Sequence, residues 1–246
     1  MMRQAALDFL SDKVFYADMI DWVTRGVAEI MVAGESGVLL RSQSDVCMMT
    51  ASDQASAHQM LEMIGATNCT LMVAHDDISV ALVPEHFTVK HRTSCWSSVF
   101  LGSHLPEISR PDLRIETLGP QWLEVITANY DMDSHEYLRR RVDARVMLGA
   151  FRDQQLLGFI GQHSEGAMGI LVVLDEHRRQ GIAEYLLSHL TNRLLSQSRI
   201  AYDHIIVGNQ ASEALQRKLG FTISTRTLSW VSLGRDQPTN RTGPMA

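Results

Sequence analysis

At 246 residues the chain has room for one large domain or two ordinary ones, and its apolar share of 45% is that of a globular protein. A net charge of −6 without a long basic run argues against nucleic acid as the main partner, and no apolar stretch is long enough to cross a bilayer. The start, MMRQAALDFLSDKVFY, lacks the basic-then-apolar layout of a secretory signal; Cys47, Cys69 and Cys95 are scattered without a CxxC, so reduced thiols in a cytoplasm are expected, with no metal and no membrane partner.

Leu7, Leu10, Val14, Phe15, Met19, Trp22 and Val23 share helical spacing. Short β-like runs follow at 28–33, 37–40 and 46–50, and Ser52 or Asp53 suits the N-cap of a helix ending at Gly65. Residues 69–74 read as a strand, 78–83 as a short helix before Pro84, and 87–101 as extended chain. Pro106 and Pro111 mark 102–111 as a linker. The expected division is a mixed α/β domain over 1–108, a second domain over 112–235 and a polar tail at 236–246. No internal repeat is visible.

The second half alternates more plainly. Residues 113–118 read as a strand, Pro120 opens a helix, and Asp133 with Glu136 has capping-box spacing for another through Arg145. Runs 146–151 and 156–163 form a hairpin around 152–155. Strands are expected at 167–174, 202–207 and 225–233. Arg139, Arg140 and Arg141 form the basic cluster, a solvated face in most proteins, or a contact for a carboxylate-bearing substrate.

The run ILVVLDEHRRQGIAEYLL, Ile170 to Leu187, joins an apolar strand to a basic, Gly-containing turn that opens an amphipathic helix. Such a turn gathers backbone N–H groups where the helix dipole also favours negative charge, which is the physics of a pyrophosphate cradle. Small Gly181 and Ala183 let phosphate oxygens approach, and Arg178 and Arg179 add charge. An ordinary strand–turn–helix with a surface Arg pair fits those residues equally well.

A second piece lies downstream: a strand, Asn209, and a helix ending in Leu219–Gly220–Phe221. With it, residues 112–233 resemble the GNAT superfamily of CoA-dependent N-acyltransferases, whose pyrophosphate loop reads Gln/Arg-x-x-Gly-x-Gly/Ala; Arg178, Gly181 and Ala183 match that pattern. Ser212 and the His204 strand resemble the group containing glycine N-acyltransferases, which also carries an extra N-terminal domain. The resemblance implies an α+β fold with a splayed central sheet flanked by helices. It implies acetyl-CoA as co-substrate and a small-molecule amine or amino acid as acceptor. The loop from Arg178 through Arg179, Gln180, Gly181, Ile182 and Ala183 to Glu184 would hold the pyrophosphate. The backbone of Leu171, Val172 and Val173 would pair with the pantetheine arm, the thioester oxygen meeting the N–H of Val172 or Val173. Asn209 would cap its helix and hydrogen-bond the same arm, assisted by Ser212.

Three side chains are candidates for the base that accepts the amine proton: Glu165, His163 and His204. Glu165 and His163 share strand parity with Ala167, which holds the place of a strand Glu in the glycine N-acyltransferase-like group. Each also reads as an ordinary solvated or hydrogen-bonded polar residue. Many family members place a Tyr acid seven residues after the Asn, where this chain has Gln216. Gln offers no ionisable proton, but a thiolate leaves without strong acid help, since its conjugate acid has a pKa near ~8.5. The competing readings are a protein N-terminal acetyltransferase and a non-catalytic acyl-CoA sensor. The absence of a GxxxxGK[ST] argues against a third reading, an ATP-binding P-loop protein.

Overall fold

A computed structural model describes residues 1–43 and 46–234, so the expected tail at 236–246 lies outside the described residues. The first helical pattern is broken in two, α1 (Met2–Phe9) and α2 (Ala17–Arg25). The Asp12 carboxylate accepts from the amides of Val14 and Phe15, each at 3.0 Å, and this local turn competes with helix. Three strands follow, β1 (Ala28–Gly34), β2 (Gly37–Ser42) and β3 (Val46–Ala51). Then come α3 (Gln54–Gly65), β4 (Leu71–Ala74) and α4 (Asp77–His86). Asp53 caps α3 by accepting from the Ser56 amide at 2.8 Å. Pro84 lies inside α4 rather than after it; it has no N–H to donate to the Val80 carbonyl, and the helix ends two residues later at His86.

The long strand β5 (Thr88–Phe100) leads to β6 (Arg114–Thr117), a 3-10 turn at Pro120–Trp122, α5 (Leu123–Asn129) and α6 (His135–Asp143). Ser134, not Asp133, caps α6, accepting from the Tyr137 amide at 3.2 Å. The hairpin β7 (Leu148–Arg152) and β8 (Gln155–Gln162) precedes β9 (Met168–Val173), α7 (Ile182–Ser196), β10 (Ala201–Ile206), α8 (Gln210–Lys218) and β11 (Thr222–Gly234).

The fold is α+β, with mixed sheet flanked by helices. Contacts divide the described residues into 1–96 with 225–234, and 97–224. Composition alone places the division at 108–112. The difference arises because residues 102–111 are docked: Leu105 is buried, and Asn192 holds its N–H and C=O at 2.8 and 2.9 Å. In the first unit the strand order is β1-β2-β3-β4-β11, antiparallel except for the parallel β3–β4 pair. Leu39, Met49, Met60, Leu61, Met72 and Val231 anchor its core. In the second unit the order is β5-β10-β9-β8-β7-β6, with β9 and β10 parallel. Its core gathers Leu186, Leu187, Leu190 and Leu194 of α7 against Leu148, Leu157, Ile160 and Met168.

Two helices, three strands, a helix, a strand, a helix and a strand occur in that order twice, from α1 to β5 and from α5 to β11, apart from β6 and the 3-10 turns. The sequence shows no such repeat. The closing strand of each set passes across the division, which falls inside β5 and again inside β11.

Candidate acyl-CoA site

The two sets of elements differ at one place, the parallel pair that each contains. In the first, β3 and β4 stay closed through four register pairs, from Val46–Leu71 to Met49–Ala74. The His75 amide then donates to the Met49 carbonyl at 2.9 Å, and the Asp76 carboxylate accepts from the Ala51 amide at 2.9 Å. In the second, β9 and β10 are in register at a single pair among the described residues, Met168 with Asp203. Beyond it β9 remains on β8 as far as Gly158–Val173. Leu171, Val172 and Val173 are half-buried, where a closed central strand would bury them fully.

A bulge bends β9 at this point. Between the pairs Phe159–Val172 and Gly161–Gly169, Ile160 faces both Ile170 and Leu171. Ile170 has φ 51°, a conformation a β-branched residue rarely adopts. Gly169 admits the His163 ring, whose Nε2 would lie 2.5 Å from a Cβ there.

From Val173 the chain makes a 3-10 turn at Asp175–His177 and enters the Arg178–Gly181 loop. Arg179 (φ 63°) and Gly181 (φ 78°) are both left-handed, and Gly181 is the N-cap of α7. No side chain caps this helix. Its first-turn amides at Ile182, Ala183 and Glu184 therefore lack intrahelical partners, as such amides do. In the first set the corresponding helix, α3, is closed by the Asp53 carboxylate, which would also repel an anion. Arg178 is tied to Asp175 at 2.7 Å and to the Val173 carbonyl at 3.3 Å, while Arg179 is exposed. Glu184 pairs with Lys218, leaving its backbone to the loop.

Asn209 caps α8, its side-chain oxygen accepting from the Ser212 amide at 3.1 Å. Gln216 is buried and turned inward: its Nε2 donates to the Asp203 carboxylate at 2.5 Å and to Ser212 Oγ at 3.3 Å. It belongs to the support of β10, not to an exposed acid position.

Two base candidates, His163 and Glu165, lie in the β8–β9 connection, and His204 lies on β10. Glu165 is buried in the β8–β9 turn, where its carboxylate meets Ser164 Oγ at 3.3 Å and its carbonyl accepts from Tyr202 Oη at 3.0 Å. His163 Nδ1 is 3.0 Å from Tyr137 Oη and 4.0 Å from Asp133. His204 is half-buried on β10, its ring 5.7 Å from that of Tyr202. The structure adds Asp133, Tyr137 and Asp203; the sequence offered Asp133 only as a helix cap and did not single out the other two. Burial pushes the Asp133 carboxyl up, opposed by His163. Burial likewise raises Asp203 against the attraction of His204 and His163. Tyr137 is pushed up to about 12 by burial and then by Glu165. A usable signal was the carboxylate of Asp203 beside His204 in an otherwise apolar strand. The Arg cluster separates: Arg139 pairs with Asp143 and Arg140 with Glu136, while Arg141 lies 5.6 Å over the Tyr137 ring.

Residues 147–231 match the family model described as FR47-like protein. No curated protein matches the chain in sequence. Among solved structures, the chain is similar to a Drosophila protein at 16% identity, with 82% of this chain and 75% of that one covered and a TM-score of 0.61. It is similar to a GCN5-related N-acetyltransferase from Kribbella flavida (15% identity, 88% and 95% covered, TM-score 0.55). An acetyltransferase of the GNAT family from Colwellia psychrerythraea also matches, at 14% identity, with 93% and 96% covered and a TM-score of 0.51. The GNAT resemblance read from residues 112–233 is thus met by a family model over the motif-bearing segment and by the fold.

Proposed function

We propose that the chain is a CoA-dependent N-acyltransferase that moves an acetyl group from acetyl-CoA to a primary amine of a small molecule or amino acid by direct attack. The observation that carries this reading is the opening between β9 and β10 beside an uncapped, glycine-started helix. The same place in the first set of elements is zipped shut and capped by a carboxylate. A slot lined by unpaired strand backbone accepts an amide-bearing arm, and the helix start accepts a diphosphate.

In this reading the amine nitrogen forms a bond to the thioester carbon as the carbon–sulfur bond breaks. Negative charge gathers on the thioester oxygen, and the N–H of Val172 or Val173 meets it. The amine proton passes to a base on the acceptor side, with Glu165, His163 and His204 as candidates and Asp203 joining them. The thiolate leaves without a Tyr acid and takes its proton from water. Asn209 and Ser212 steady the arm. Asp133, Glu165 and Asp203 place three carboxyl groups in these surroundings, two of them pushed toward the protonated form by burial. The three cysteines are buried and unbridged, which fits a reducing compartment such as the cytoplasm.

The test is calorimetry with CoA, followed by release of free thiol from acetyl-CoA across a panel of amines, amino acids and N-terminal peptides. Turnover on small amines supports the reading; turnover on peptides alone moves it to protein N-termini. The inward placement of Gln216 favours one other reading, an acyl-CoA sensor, which binding without turnover on any acceptor would establish.

A further inference from the structure

Arg110 lies at the end of the docked segment between β5 and β6, and its guanidinium is held as a fork. Nε and Nη2 donate to the two carboxylate oxygens of Asp112 at 2.9 and 3.0 Å. Nη1 donates to the carbonyl of Gln180, inside the Arg178–Gly181 loop, at 2.8 Å. Arg152 donates to the same Asp112 carboxylate at 2.9 Å. One carboxylate thus holds two guanidinium groups, leaving surplus positive charge beside the loop. Asp112 stays ionised because the Arg110 hydrogen bond, then that of Arg152, holds its carboxyl well below the usual range.

An arginine has five N–H donors. These bonds use one on Nε, one on Nη1 and one on Nη2, so Nη1 and Nη2 each keep another. Nη1 stands 3.4 Å from the place a Cβ on Gly181 would occupy. The spare donors therefore border the spot where the first-turn amides of α7 converge. An exposed ion pair contributes little by itself. Arg110 differs by its third bond, to the loop backbone, and by the position of its Nη1 over Gly181.

We infer that Arg110 is a further diphosphate-binding residue: it fixes the loop through the Gln180 carbonyl and offers its spare donors to an anionic diphosphate at the start of α7. This rests on the coenzyme A reading. Nothing in the Gln/Arg-x-x-Gly-x-Gly/Ala pattern points to it, since Arg110 lies far upstream in sequence and reaches the loop through the fold.

The experiment uses the full chain and two donors, acetyl-CoA and S-acetylpantetheine, which lacks every phosphate. Arg110→Ala is expected to weaken CoA binding in calorimetry about 10- to 100-fold, the span of a lost charge-assisted bond. Its loss of kcat/KM with acetyl-CoA should exceed that with S-acetylpantetheine by a similar ratio, and CoA binding should become less salt-dependent. Arg110→Lys, which keeps charge but not the fork, should fall between. CoA binding by Arg110→Ala equal to that of the parent overturns the inference. Equal losses with both donors also overturn it, because they mark a role in folding alone. A parent protein that binds no CoA at all sinks the coenzyme A reading instead, and the inference with it.

Discussion

Asp203 and Gln216 form a pair whose chemistry follows from where each side chain points. Gln216 reaches inward to the carboxylate, so the side chain at the expected acid position supports a strand. Burial favours the protonated form of Asp203, and the native state therefore holds that proton more tightly than the unfolded chain does. Stability associated with it is greatest at low pH and is lost as pH rises through the raised value. Asp203→Asn is expected to stabilise the protein by about 1 kcal/mol at pH 8, with the gain closing toward pH 4. Denaturant titrations at the two pH values check the sign. The base is tested separately. Glu165→Gln should lower turnover by roughly 10²-fold near neutral pH while CoA affinity holds. Full activity in that variant, with an impaired His204→Ala, moves the role to His204. Asn209 was legible because capping is local. The Asp203–Gln216 bond was not, because it joins two elements that only the fold brings together.

Strand β9 was readable as an apolar run, but its bulge was not. The bulge depends on registration with β8, where Gly161 and Gly169 meet, and sequence periodicity carries no register. Likewise the single break before α2 turns on one carboxylate, Asp12, against a continuous helical pattern. The turn into α7 was the most legible element, because Gly181 is needed both for its left-handed φ and for its missing side chain. Gly181→Glu meets both demands badly. The backbone conformation costs about 1–2 kcal/mol for a residue with a Cβ, and the new carboxylate would face the diphosphate. CoA affinity should fall by roughly 10²-fold or more, combining that repulsion with the blocked amides. Calorimetry on a variant whose circular dichroism matches the parent would show it, and unchanged affinity would remove the site assignment.

Across the chain, the repeated order of elements escaped the sequence because only architecture is shared. One set carries Gly181 at the helix start and the other carries Asp53 as a cap. Whether residues 112–235 stand as an independent domain is tested by expressing residues 112–246. We expect that fragment to be insoluble. It would lack β4, against which Ser229, Trp230, Val231 and Ser232 of β11 pair, leaving an open strand edge. It would also lack Phe100, whose ring lies 5.6 Å from that of Phe221. A soluble fragment with parental CoA affinity would show that these contacts are dispensable.

The pairing of Ser229 with Ala74 also bears on how the protein is made. A ribosome delivers β4 long before β11, so the first set of elements leaves the exit tunnel while the strand that pairs with β4 is still untranslated. Its helices and hairpin can collapse, but β4 must wait with one edge open until Ser229, Trp230, Val231 and Ser232 have emerged. Such late, distant pairing slows folding and prolongs exposure of a sticky edge. The chain should therefore lean on a chaperone that shields strand edges during synthesis, and nascent molecules stalled before residue 225 should aggregate where completed ones do not.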